Sequence, residues 1–116
     1  MIDPRELTER VILKGEEWAD KDAAASALEE SKKSVFAQAV AAAMEDAIKA
    51  GLKPLSVAMA ESRAYLSESY KAHVLQMVEA RRVANRARVV YDMGRVELDL
   101  LRSHMATTRA EMGMTR

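Results

Sequence analysis

Cysteine is absent from this 116-residue sequence. There can be no disulfide, no thiolate metal site and no cysteine nucleophile, and a reducing, cytoplasmic setting is the expectation. Long apolar runs are missing as well. The longest stretch without a charge runs only from Ser34 to Met44, far short of the roughly 20 apolar residues that span a bilayer. No membrane partner is expected. Asp3, Arg5, Glu6, Glu9 and Arg10 interrupt any hydrophobic segment near the start, so a signal peptide is not expected either. Net charge is lacking too: 18 Lys+Arg meet 18 Asp+Glu. With 49% apolar and 31% charged residues, the chain is neither a disordered acidic tail nor a membrane protein. Its length suits a single helical domain, 1–116.

Glycine and proline are scarce, at four and two residues. What remains is rich in Ala, Glu, Lys, Arg, Met and Leu, the strong helix formers. No run of alternating β-branched residues predicts a strand. Pro4 suits a first helical position with Asp3 as its N-cap. The strongest punctuation is Gly51-Leu52-Lys53-Pro54, a helix stop followed by a helix start. The pattern predicts an all-α fold: an antiparallel, coiled-coil-like hairpin of two long helices, about 5–50 and about 55–112, with the turn at 51–54. At 1.5 Å per residue these helices would be roughly 70 and 85 Å long. Asp20-Lys21-Asp22 could split the first helix, and Ser62, Ser67 and Ser69 weaken the start of the second. A three- or four-helix bundle is therefore the alternative.

The second helix carries the clearest periodicity. Leu66, Tyr70, His73, Met77, Ala80, Ala84, Ala87, Tyr91, Gly94, Leu98, Leu101, Met105, Thr108 and Met112 alternate spacings of four and three. This is the a/d seam of a coiled coil. Ala80, Ala84, Ala87 and Gly94 keep its middle small, so two backbones can approach closely. Apolar residues off the seam, Val74, Val78, Val83, Val90, Val96 and Leu100, exceed what one stripe needs. That surplus predicts a homo-oligomer, most simply a dimer that completes a four-helix bundle, and a protein partner.

Charge is uneven along the chain. Residues 1–70 hold 9 Lys+Arg and 13 Asp+Glu, and residues 71–116 hold 9 and 5. Arg81, Arg88, Arg95, Arg102, Arg109 and Arg116 recur every seven residues. The first five each directly follow a seam residue, as the flanking charges of a coiled coil do, and acidic partners are available at Glu16, Glu17, Asp20, Asp22, Glu29 and Glu30. The other reading is a stripe of phosphate contacts, with Arg81, Arg88, Arg95, Arg102 and Arg109 tracking a nucleic-acid backbone. Only Tyr91 interleaves with the row, so base stacking is not indicated.

No catalytic constellation accompanies these features. There is no Gly-rich phosphate loop, no metalloprotease histidine pair and no nucleophile elbow. His73 and His104 stand 31 residues apart on one predicted helix and cannot meet within a chain. Adjacent carboxylates such as Glu16-Glu17 and Glu29-Glu30 point about 100° apart on a helix. Glu68 precedes His73 by five residues, the wrong spacing for a carboxylate-bridged metal site. No enzyme, metal or cofactor is expected. Trp18 and Phe36 read as packing residues, or as hot spots for a partner.

The segments Arg86-Ala87-Arg88-Val89-Val90-Tyr91-Asp92 and Ala106-Thr107-Thr108-Arg109-Ala110-Glu111-Met112 resemble the C-terminal part of small helical phage and prophage proteins encoded among DNA recombination and replication genes. The resemblance covers about 30 residues, departs from a seam-filling side chain at Gly94, and carries no catalytic signature. It implies a phage-derived accessory role in the cytoplasm. A secreted helical hairpin of the WXG type has a similar length, but its Trp-x-Gly turn is absent here: the turn reads Gly51-Leu52-Lys53-Pro54 and Trp18 lies far from it. Its export signal is absent too, since Arg95 follows Tyr91 by four. The expected function is that of a non-enzymatic oligomerisation and protein-interaction accessory. The alternative is a nucleic-acid-binding accessory of phage DNA recombination or replication.

Overall fold

A computed structural model describes residues 3–114. The fold is all-α, with no strand among the described residues. Four helices follow in order: α1 (Pro4–Glu30), α2 (Lys32–Lys49), α3 (Val57–Leu66) and α4 (Glu68–Met114). The long helices expected at about 5–50 and about 55–112 are thus each interrupted once, at Ser31 and at Ser67. Asp20-Lys21-Asp22 does not end a helix; α1 runs through it.

Local chemistry accounts for each boundary. The Asp3 carboxylate accepts the Arg5 N–H at 3.0 Å, which caps α1 ahead of Pro4. At Ser31 the backbone stays right-handed, but its hydroxyl donates to the Leu28 carbonyl at 3.0 Å. A serine hydroxyl competing for a helix carbonyl loosens that turn without reversing the chain. Gly51 ends α2 with φ at 75°. Its N–H reaches the Ile48 carbonyl, and the Leu52 N–H reaches that of Ala47, both at 3.0 Å. These two bonds define a Schellman cap, whose left-handed position favours glycine. Ser56 then caps α3 by accepting the Met59 N–H at 3.2 Å. Ser67 does double duty with extended backbone. Its hydroxyl donates to the Ala64 carbonyl at 2.7 Å and accepts the Tyr70 N–H at 3.3 Å. One serine therefore ends α3 and starts α4, where Glu68 complements the helix dipole.

The chain divides into two compact units, Met1–Asp22 with Val83–Arg116, and Ala23–Arg82. In the first, α1 and α4 run antiparallel. Leu7, Val11 and Leu98 are buried together, with Tyr91 and Leu101 packed against them. Gly94 faces Val11, and Gly15 faces the ring of Tyr91. Further along, Trp18 stacks on Tyr91 with ring centroids 5.6 Å apart.

In the second unit the buried apolar residues are Ala25, Ala39, Ala47, Ala60 and Ala64. Such small side chains let α2 and α3 pack closely. Phe36 of α2, Tyr65 of α3 and Tyr70 of α4 form a triad of rings with centroids 4.6 to 5.6 Å apart. No large side chain among the described residues is completely buried. An interior built from alanine and glycine brings backbones together but removes little apolar area from water. Much apolar surface is left outside.

Candidate functional site

The site-bearing element is α4, whose two faces differ in what they touch. Along its inner face His73, Ala84 and Leu98 are buried, while Tyr70, Met77, Ala80, Ala87, Tyr91, Gly94, Leu101 and Met105 are half-buried. The heptad seam is the stripe that this helix turns inward within the chain. Tyr70 to Ala80 belong to one unit and Ala84 to Met105 to the other.

His73 is the buried polar member of the stripe. Its Nε2 lies 2.8 Å from the Leu28 carbonyl and 3.5 Å from the Ser31 hydroxyl. A carbonyl only accepts, so Nε2 carries the proton and donates to it. The imidazole thus supplies a partner to the carbonyl at the α1–α2 interruption. His104 is exposed. No three His, Asp or Glu side chains gather in metal-ligand fashion among the described residues.

The arginine row divides into distinct environments. Arg81 is half-buried and makes a bidentate pair with Glu29, Nε to Oε2 at 3.0 Å and Nη2 to Oε1 at 2.5 Å. Its second nitrogen also approaches the Ser26 hydroxyl at 3.4 Å. This one is a structural ion pair between α1 and α4. Arg88 lies over the ring of Trp18, 5.8 Å from its centre, with a loose 3.8 Å approach to Asp92. Arg95 lies at the same distance over Tyr91. Arg102 and Arg109 are exposed and have no carboxylate partner among the described residues. Arg82, off the row, is paired with Glu79. That hydrogen bond, and then the charge of Glu79, raise its pKa further above the ordinary arginine value.

The outer face of α4 holds a second apolar stripe. Val89, Met93, Val96 and Leu100 are 56%, 60%, 57% and 65% exposed. Their spacings of four, three and four repeat the a/d rhythm of a coiled coil. Val96 and Leu98 are two residues apart, hence roughly 160° apart around the helix, so this stripe lies nearly opposite the buried one. It belongs wholly to the first unit. A groove of about 370 Å³ runs along it, lined by Val89, Asp92, Met93, Val96 and Glu97. A second groove, of about 330 Å³, lies beside it over Gly94, where Leu7, Val11, Val90 and Met93 form the floor. Arg10, Lys14 and Glu97 edge it.

Of these four residues, sequence reasoning marks Val96 and Leu100 as surplus but misses Val89 and Met93. Their 4-3-4 spacing is the signal that joins all four. Trp18 and Phe36, the two candidate hot spots, are half-buried in the ring contacts already described. No helix among the described residues is long and apolar enough to cross a membrane. No family model, curated protein or solved structure matches the chain.

Proposed function

We propose that this chain is a non-enzymatic helical protein that acts by associating with another helix, first of all with its own kind, in an accessory role. One observation carries the reading: α4 is apolar on two nearly opposite faces, and the chain itself covers only one. A helix exposing a coiled-coil stripe gains stability when a second helix covers it. The absence of cysteine suits a cytoplasmic setting, and the likeness of the C-terminal segments to phage and prophage accessory proteins suits an accessory role. The test is light scattering after size separation, at roughly 10 to 200 μM, where modest interfaces populate. A mass that rises with concentration toward a dimer supports the reading. A mass fixed at 12.9 kDa throughout overturns self-association.

A second reading rests on Arg102 and Arg109, which have no carboxylate partner among the described residues. Together with Arg88 and Arg95 they leave a row of exposed guanidinium groups along α4. Such a row can contact phosphates. Anisotropy of labelled DNA at about 50 and 200 mM salt tests it: steep weakening with salt is the signature of phosphate contacts. Unchanged binding after replacing Arg102 and Arg109 with alanine counts against it.

A further inference from the structure

Nothing in the local sequence calls for the break between α1 and α2. No proline or further glycine intervenes between Gly15 and Gly51, and Ala23 to Lys33 are mostly strong helix formers. Glu29 stands four residues before Lys33, the order that supports a helix. Ser31 keeps a right-handed backbone, with φ at −81° and ψ at −5°. The hydrogen-bond ladder holds on both sides of it. The Ser31 N–H reaches the Ala27 carbonyl at 3.1 Å, and the Val35 N–H reaches the Ser31 carbonyl at 3.0 Å. Only the turn between them gives way. A hydroxyl alone does not open a helix in this chain. Thr8, Ser62 and Thr108 donate to carbonyls four residues back at 2.8 to 3.0 Å, and α1, α3 and α4 run on through them.

What sets Ser31 apart is α4. In a continuous helix the Leu28 carbonyl would accept the Lys32 N–H. Here it takes the Ser31 hydroxyl at 3.0 Å and Nε2 of the buried His73 at 2.8 Å. The neighbouring Glu29 carboxylate is drawn to α4 as well, through Nε of Arg81 at 3.0 Å. All of these residues lie in one compact unit, Ala23–Arg82. We infer that His73 is a latch: its Nε2–H holds the turn at Ser31 open, and without it Pro4 to Lys49 closes into one helix. The two states exchange one hydrogen bond for another of similar net worth, the imidazole to Leu28 for the Lys32 amide to Leu28. The balance between them is therefore small, as a two-state element requires. Withdrawing His73 closes the turn, so the continuity of α1 with α2 depends on where α4 sits. His73 acts here as a positioning residue, and its effect is conformational.

Amide hydrogen exchange by NMR on the full chain tests this, with Lys32 as the reporter. In the parent the Lys32 amide should exchange faster than those of Ser31 and Val35, whose ladder bonds are made. His73→Leu keeps the bulk and removes the donor, so protection of Lys32 should rise roughly fivefold or more. His73→Gln retains a donor and should leave Lys32 exchanging like the parent. Ser31→Ala should also leave the turn open, since His73 still holds the carbonyl. A His73→Leu chain that protects Val35 as the parent does, yet leaves Lys32 unprotected, overturns the latch. Closure by Ser31→Ala with no closure by His73→Leu assigns the break to the serine and overturns it too. A measurement on the parent needs no variant to fold. Imidazole nitrogen shifts, taken above the ordinary titration range of imidazole, should place the His73 proton on Nε2. A proton on Nδ1 instead leaves nothing to donate to Leu28 and overturns the inference.

Discussion

Leu98 and Leu100 offer the sharpest comparison on α4. They are two residues apart on one helix, yet Leu98 is 8% exposed and Leu100 is 65% exposed. Replacing each with alanine makes the same chemical change and the same small gain in helix propensity. Leu98→Ala removes a side chain packed with Leu7 and Val11 and leaves a cavity. Its cost falls near the low end of the 2–5 kcal/mol range for buried leucines, about 2–3 kcal/mol, because so thin an interior can partly collapse. Leu100→Ala removes only a minor share of buried surface and should change folding stability by less than about 0.5 kcal/mol. In the proposed self-association the order should reverse. About two thirds of the Leu100 side chain remains to be covered, worth about 1–2 kcal/mol per copy on the transfer scale, and a dimer loses it in both copies, so affinity should fall roughly tenfold or more. Urea denaturation followed by circular dichroism measures the first quantity, and light scattering over a dilution series measures the second. Folding and association are separated by repeating the melts at several protein concentrations, since a subunit contact makes the midpoint concentration-dependent. Equal losses of monomer stability from the two replacements would refute the assignment of inner and outer faces.

Two further replacements test the packing that orients this helix. Ser67→Ala removes a hydroxyl that serves both α3 and α4, so the loss should be about 1–2 kcal/mol, at the upper end for a helix cap, by chemical denaturation. A Cβ on Gly15 would lie 2.9 Å from Cε2 of Tyr91. Gly15→Ala should therefore forfeit the roughly 1 kcal/mol that alanine gains over glycine inside a helix, and recover it when Tyr91→Ala removes the ring. Strict additivity in that double-mutant cycle would contradict the close contact.

The helical character and the main turn were legible in the residues themselves. Helix formers with few breakers leave no other regular structure, and Gly51 with Pro54 marks a stop and a start that local backbone chemistry enforces. The interruptions at Ser31 and Ser67 were harder to see. Serine is tolerated within a helix, and whether its hydroxyl takes a backbone carbonyl depends on the surrounding chain. At Ser31 the Leu28 carbonyl also receives His73 from 45 residues away, a partner that no local pattern announces. The arginine row shows the same division. Its seven-residue spacing is plain in the sequence, but the distinct settings of Arg81, Arg88 and Arg102 follow from what α1 places opposite each: Glu29, Trp18 and no carboxylate.

By itself, then, the sequence determined that α4 is a helix with a/d periodicity. Periodicity singled out the long row from Leu66 to Met112 as the seam, but the shorter row Val89, Met93, Val96 and Leu100 carries the same rhythm of three and four, and spacing does not say which row the chain itself covers. Tertiary packing made that choice. Gly15 leaves room for the Tyr91 ring and Gly94 faces Val11, so α1 approaches closely on that side, buries Leu98 with Leu7 and Val11, and leaves the opposite row of α4 exposed to water.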